Sequence, residues 1–124
     1  MNSGNGLSLT TCSIDMRFAS KDVDHAVRLL RSVMGIIQAK RGCLACRIGM
    51  DAADADLVHY LEKWESEEAF RRHVRSEEFR RILIAVDLCC EEPGIVVGNR
   101  SGHSGMAYLR KLREEDSKIP ISND

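Results

Sequence analysis

The chain has no excess of charge of either sign: 18 Lys and Arg stand against 19 Asp and Glu, a formal net charge of -1. That balance supplies no field for nucleic acid or an anionic membrane surface, and neither is expected as a partner. Long apolar runs are also missing; no stretch approaches the roughly 20 residues of a membrane span. The opening "MNSGNGLSLT" has no basic segment followed by an apolar one and does not read as a secretory signal. Cysteine is sparse and odd in number, five in 124 residues. That excludes a disulfide-stapled scaffold and makes a reducing cytosol the expected setting. Only one Trp and two Tyr occur, so the place of each carries information.

What is present is the composition of one ordinary globular domain, 44% hydrophobic and 30% charged, with length enough for a modest core. Residues 1–6 read as a flexible N-terminus, 7–112 as the domain and 113–124 as a flexible tail. Leu7 to Phe18 alternates over its second half, with Cys12, Ile14, Met16 and Phe18 on one face, as in a half-buried strand. Ser20 or Asp22 can cap a helix whose apolar stripe is Val23, Val27, Leu30, Met34 and Ile37, stopped near Gly42. Cys43 to Met50 and Leu57 to Glu65 read as strands, separated by the turn "DAADAD". A buried strand is expected at "GIVVG", and after the loop "NRSGHSG" a last strand at "MAYLRKL", 106–112.

Between these lies "YLEKWESEEAFRRHVRSEEFRRIL", a strand followed by two short helices that share one start. Ser66 and Ser76 each precede a pair of glutamates, which is N-cap chemistry with acidic residues complementing the helix dipole. The spacings Glu67–Arg71, Glu68–Arg72 and Glu77–Arg81 suit surface ion pairs. On the first helix Ala69, Phe70 and Val74 define an apolar arc, and His73 falls inside it. The second carries the stripe Phe79, Ile82, Leu83 and Val86. Strand alternation puts Val58, Tyr60, Glu62 and Trp64 on one face. A Trp, a Tyr and a His, each with an apolar body and a polar tip, suit a small aromatic ligand. The plainer alternative is a satisfied polar residue in a core, and Glu62 between two aromatics must find a partner.

The element order β-α-β-β-α-β is the ferredoxin-like, split βαβ form of the α+β class, an antiparallel sheet with helices on one face. "CLACRIGM" and "GIVVG" are poor in polar residues, which favours a homodimer joined through the uncovered face.

From Tyr60 to Phe79 the sequence resembles the antibiotic biosynthesis monooxygenase (ABM) domain family. The matching residues are Glu62, Trp64, Ser66, Glu68, Ala69, Phe70, His73, Ser76 and Phe79, supported by a preceding helix that ends in "KRGCLACRI". The resemblance covers roughly residues 7–100 and implies a ferredoxin-like protomer pairing into a dimeric α+β barrel. Many members of that family oxidise quinols, anthrones or other electron-rich aromatics with molecular oxygen and no cofactor or metal. Others degrade haem, isomerise small molecules or lack a known activity. The haem-degrading pattern is absent here, because Leu83 stands where that branch has a haem-facing His. Tyr60 and Phe70 stand where polyketide-oxidising members have an Asn and a Tyr.

On this resemblance His73 is the expected base, with Trp64 and Tyr60 holding substrate oxygens and Phe70, Phe79 and Glu62 contacting the substrate. The rivals are a non-catalytic ligand-binding member and an isomerase or lyase of a small oxygenated metabolite. An apolar cleft favours the oxygenase; several converging charges favour the isomerase. Three other signals carry less. "CLAC" enters a strand rather than a helix, and a regular strand would turn Cys43 and Cys46 to opposite faces. The adjacent Cys89 and Cys90 make awkward co-ligands for a metal. His25 and His59 show no partners, and "NRSGHSG" reads as a plain connection.

Overall fold

A computed structural model describes residues 9–118; the expected flexible N-terminus, 1–6, lies outside them. The elements are β1 (Thr10–Arg17), a 3-10 turn (Ser20–Asp22), α1 (Val23–Gln38), β2 (Cys43–Met50), β3 (Leu57–Trp64), α2 (Glu67–Val74), α3 (Glu77–Asp87), β4 (Gly94–Val97), β5 (Arg100–Ser101) and α4 (His103–Lys118). The strands form one antiparallel sheet in the order β2-β3-β1-β4-β5. The first four strands are therefore arranged as the ferredoxin-like reading requires.

Strand alternation sets the core. Cys12, Ile14 and Met16 of β1, Val58, Tyr60, Glu62 and Trp64 of β3, and Ile95 and Val97 of β4 are all buried on the face the helices cover. α1 lays Val23, Ala26, Leu30, Val33 and Ile37 on that face. Val27 and Met34, expected in the centre of its stripe, are partly buried and pack along its edge. α3 contributes Phe79, Ile82, Ala85 and Val86. Each large apolar side chain fully removed from water stabilises the fold by about 1.5–3 kcal/mol.

Both serine caps form. Ser66 Oγ accepts from the Ala69 amide at 3.1 Å and Ser76 Oγ from the Phe79 amide at 3.2 Å. Asp22 stands at the N-cap of α1, but its side chain makes no capping bond. Glu67–Arg71 and Glu68–Arg72 pair at i,i+4 spacing, whereas Glu77 pairs with Arg80 rather than Arg81.

Three expectations are corrected. Residues 106–112 form part of helix α4, not a strand, because Leu109 and Leu112 are buried one helical turn apart, as are Gly105 and Leu109. Gly105 is there because α4 crosses β4 closely; a Cβ would stand 3.0 Å from Ile95 Cγ2 and 3.1 Å from its carbonyl oxygen. The helix also continues through Lys118, past the point at which a tail was expected. Arg113 donates to the Val74 and Ser76 carbonyls at 2.6 and 3.2 Å, and Arg71 pairs with Glu115 at 3.1 Å. Residues 119–124 lie outside the described residues. Third, β2 carries an irregularity between Cys43 and Ala45, so that Cys43 faces Trp64 and Cys46 faces Glu62 across the ladder. The extra residue brings both cysteines to the same face, where a regular strand would have opposed them.

The uncovered face is more polar than β2 and β4 alone suggest. Cross-strand register puts Asp15, Arg47, His59 and Lys63 there around Leu61 and Val96, which are 37% and 40% exposed. His59 has partners after all, with Asp15 Oδ1 at 2.7 Å and Asp51 Oδ1 at 2.9 Å. No helix among the described residues is long and apolar enough to cross a membrane.

Candidate active site

β3 presents Tyr60, Glu62 and Trp64 to the helices on successive inward positions, and α2 lowers His73 onto them. Glu62 is fully buried and has three donors. Trp64 Nε1 donates to Oε1 at 3.0 Å, His73 Nε2 to Oε2 at 2.8 Å, and the Tyr60 hydroxyl also to Oε2. Three donors on two oxygens make this an ionised carboxylate whose lone pairs are well used. The His73 ring stacks on Trp64, centroids 4.6 Å apart at 28°, and meets the edge of Phe79 at 5.2 Å.

The other nitrogen of His73 fixes its protonation. Nδ1 lies 3.0 Å from Lys40 Nζ, which also reaches Ser76 Oγ at 2.9 Å and Glu78 Oε1 at 2.8 Å. An ammonium has three hydrogens to give and nothing to accept with, so Nδ1 is an acceptor and the proton sits on Nε2. The network therefore contains a neutral imidazole between a lysine cation and a glutamate anion. Ser76, besides capping α3, donates to the His73 carbonyl at 2.6 Å. The hydrogen bond from Lys40 holds the Glu78 carboxyl below the usual carboxylate range.

A second line of protons approaches from β2. Cys46 Sγ lies 3.3 Å from the Tyr60 hydroxyl, and because that hydroxyl gives its hydrogen to Glu62, the thiol is the donor. Burial, foremost, pushes the Cys46 thiol up to about 11. Burial and then the Glu62 charge raise the Tyr60 phenol far above its usual range. On the other side of Glu62, burial and then that same charge raise Cys12. All three groups stay protonated at neutral pH.

One cleft reaches the histidine end of the network, while a separate cavity is lined by Cys43 and Cys46 on the β2 side. A cavity of about 280 Å³ is lined by Lys40, Arg41, Trp64, Ala69, Arg72 and His73. Trp64 and His73 are only 1% and 2% exposed and form its floor; Arg41 and Arg72 are exposed at its mouth. One wall is the α1–β2 loop and the other is α2. Gly42 lets the walls close: its φ is +90°, and a Cβ there would stand 2.7 Å from Ala69 Cβ. The Glu65 amide ties down the loop by donating to the Gly42 carbonyl at 2.8 Å.

Of the residues expected from sequence, Tyr60, Glu62, Trp64 and His73 form one bonded unit. Phe79 supports the His73 ring, while Phe70 is fully buried and neither phenylalanine lines the cavity. The indole and phenol donors are engaged with Glu62. Lys40, Cys46, Cys12 and the bridging role of Ser76 were not anticipated. For Lys40 the available signal was its place before Arg41-Gly42, at the end of a long helix. Among the described residues no group of three or more His, Cys, Asp or Glu is placed to hold a metal ion.

The class defined by this fold and site is a ferredoxin-like α+β protein with a polar network buried beneath one side cleft. Residues 11–83, more than half of the chain, match the antibiotic biosynthesis monooxygenase family model, and the chain belongs to that family. Similar solved structures include a conserved Methanosarcina mazei protein, 18% identical with a TM-score of 0.67, covering 74% of this chain and 91% of that one. The Pseudomonas aeruginosa protein PA3566 is 23% identical with a TM-score of 0.66, covering 76% and 95%. A protein named as an antibiotic biosynthesis monooxygenase is 20% identical with a TM-score of 0.64, covering 73% and 95%. At these identities the likeness concerns the fold. No curated protein matches the chain significantly.

Proposed function

We propose that this protein is a monooxygenase that oxidises a quinol-like or polycyclic aromatic substrate with molecular oxygen and without a cofactor. The observation that carries this reading is the buried Glu62–His73 pair, whose unprotonated Nδ1 meets Lys40 at the floor of the only side cleft that reaches it among the cavities described. In this reading a substrate hydroxyl takes the place of Lys40 at Nδ1 and gives up its proton there. Glu62 holds the imidazole in the required tautomer and stabilises the imidazolium, as the carboxylate of a catalytic triad does. Tyr60 and Trp64 act one step back by holding Glu62, and Lys40 offsets the charge of the new phenolate. The resulting electron-rich anion reacts with oxygen. For a quinol the balance is one O₂ consumed, one oxygen atom placed on the ring as a hydroxyquinone, and the other released as water.

Oxygen uptake by metal-free protein with a panel of hydroquinones and anthrones tests this directly. Uptake above the spontaneous rate is expected, reduced by roughly 10²- to 10⁴-fold in His73→Gln, with folding followed by circular dichroism. No uptake over the spontaneous rate for any of them would end the reading.

The three cations lining the cleft favour a second reading, an isomerase or lyase that forms an enolate without oxygen. Solvent deuterium entering a carbonyl substrate under anaerobic conditions would select it. The reading also includes a homodimer through the open face, supported by exposed Leu61 and Val96, and a reducing compartment, supported by five free cysteines. Leu61→Glu should then halve the mass in sedimentation equilibrium.

A further inference from the structure

Building on the ligand site proposed above, we propose that the cleft selects aromatic ligands that carry a fixed anionic group, a carboxylate above all, gripped at the mouth by Arg41 and Arg72. The lining is one-signed. Three of its six residues are cations and none is acidic.

The three cations are not equivalent. Lys40 is committed inward, with each of its hydrogens on an acceptor and Glu78 as its counter-ion. Among the described residues Arg72 has only Glu68 at 3.4 Å, and that carboxylate side chain is 84% exposed, so the pair is weak and screened. Arg41 makes no hydrogen bond or ion pair among the described residues. Two guanidinium groups thus remain for a ligand, one from each wall of the cleft. Their planar forks match a carboxylate with two parallel hydrogen bonds, which a neutral hydroxyl or amide cannot return.

The rest of the cleft sets the remainder of the ligand. Trp64 and the stacked His73 ring offer an aromatic floor. A volume of about 280 Å³, just under the usual range of ligand pockets, has room for one or two fused rings, with any further ring extending out through the open mouth. An anionic group at the mouth orients the rings inward, so that a hydroxyl on the far side meets His73 and Lys40. The mouth thus reads charge and the floor carries out chemistry.

Calorimetric titration with 2-naphthoate and its neutral isostere 2-naphthamide decides the matter. The single indole N–H signal of Trp64, the chain's only tryptophan, reports by NMR whether binding is at this cleft. Naphthoate is expected to bind at least tenfold more tightly at low salt, and the gap should narrow as salt rises. In the Arg41→Gln/Arg72→Gln double variant the gap should vanish while the affinity for naphthamide stays. Both arginines are exposed, so this variant should melt like the wild type; the salt series tests the same point without any substitution. Equal affinity for the two ligands, or a preference that survives the double variant, overturns the anion selectivity and leaves the aromatic site standing. Failure of both ligands to shift the Trp64 signal overturns the site itself, and the selectivity with it.

Discussion

Glu62 has no solvent and three donors, so its carboxylate is retained by geometry that a neutral isostere cannot reproduce. Glu62→Gln would turn an amide NH₂ toward Tyr60, Trp64 or His73 and leave at least one of those buried donors without an acceptor. Leaving a buried donor unsatisfied in this way costs about 1–3 kcal/mol. The urea midpoint should fall accordingly, whereas Glu65→Gln nearby should change it little. The histidine on the opposite face behaves differently. His59 has its pKa raised by hydrogen bonds first to Asp15 and then to Asp51, so the folded state binds its proton more tightly than the unfolded chain does. Its contribution is fully present below the unfolded value of about 6.5 and is lost as pH rises through the higher folded value. Urea titrations of wild type and His59→Gln at pH 5.5, 7 and 9 should therefore differ most at the acid end and converge toward pH 9. A constant offset across that range would refute the assignment. The side chain is 43% exposed, which limits the size of the effect.

At the scale of elements, the two short helices look alike in sequence but their caps carry different loads. Ser66 caps α2 and makes no other bond in the network, so Ser66→Ala should cost about 1 kcal/mol. Ser76 caps α3, accepts from Lys40 and holds the His73 carbonyl. Ser76→Ala should cost more, about 2 kcal/mol, and should lower activity where Ser66→Ala does not. Thermal melts alongside oxygen uptake separate the two. These helices were legible because capping is local chemistry, written within four residues of each start. The inward set Tyr60, Glu62, Trp64 and His73 was legible for a similar reason, since strand and helix periods assign faces without any tertiary knowledge. Lys40 was hardly legible: its place just past α1, before Arg41-Gly42, marks a helix end but does not name the partners His73, Ser76 and Glu78, which lie more than 30 residues on. The bulge in β2 escaped because register belongs to two strands together. "MAYLRKL" misled because a short apolar run fits either period, and what decides it is the close crossing of α4 over β4.

For the molecule as a whole, the segment matching the family ends at residue 83, yet the network it contains is gripped from beyond that point. Arg113 of α4 binds the carbonyls of Val74 and Ser76, which bracket the α2–α3 junction on which His73 hangs. If the cleft binds the ligand proposed above, its occupancy and the docking of the last helix would be two equilibria sharing one joint, and linkage would make their influence mutual. Saturating 2-naphthoate should slow amide hydrogen exchange along α4, although that helix does not line the cleft. Arg113→Met should lower that protection, and naphthoate should restore part of it. An α4 whose exchange is indifferent to ligand would mean that the joint is rigid in both states. On that reading the closing helix would be a thermodynamic gauge of the site, readable at a distance from it.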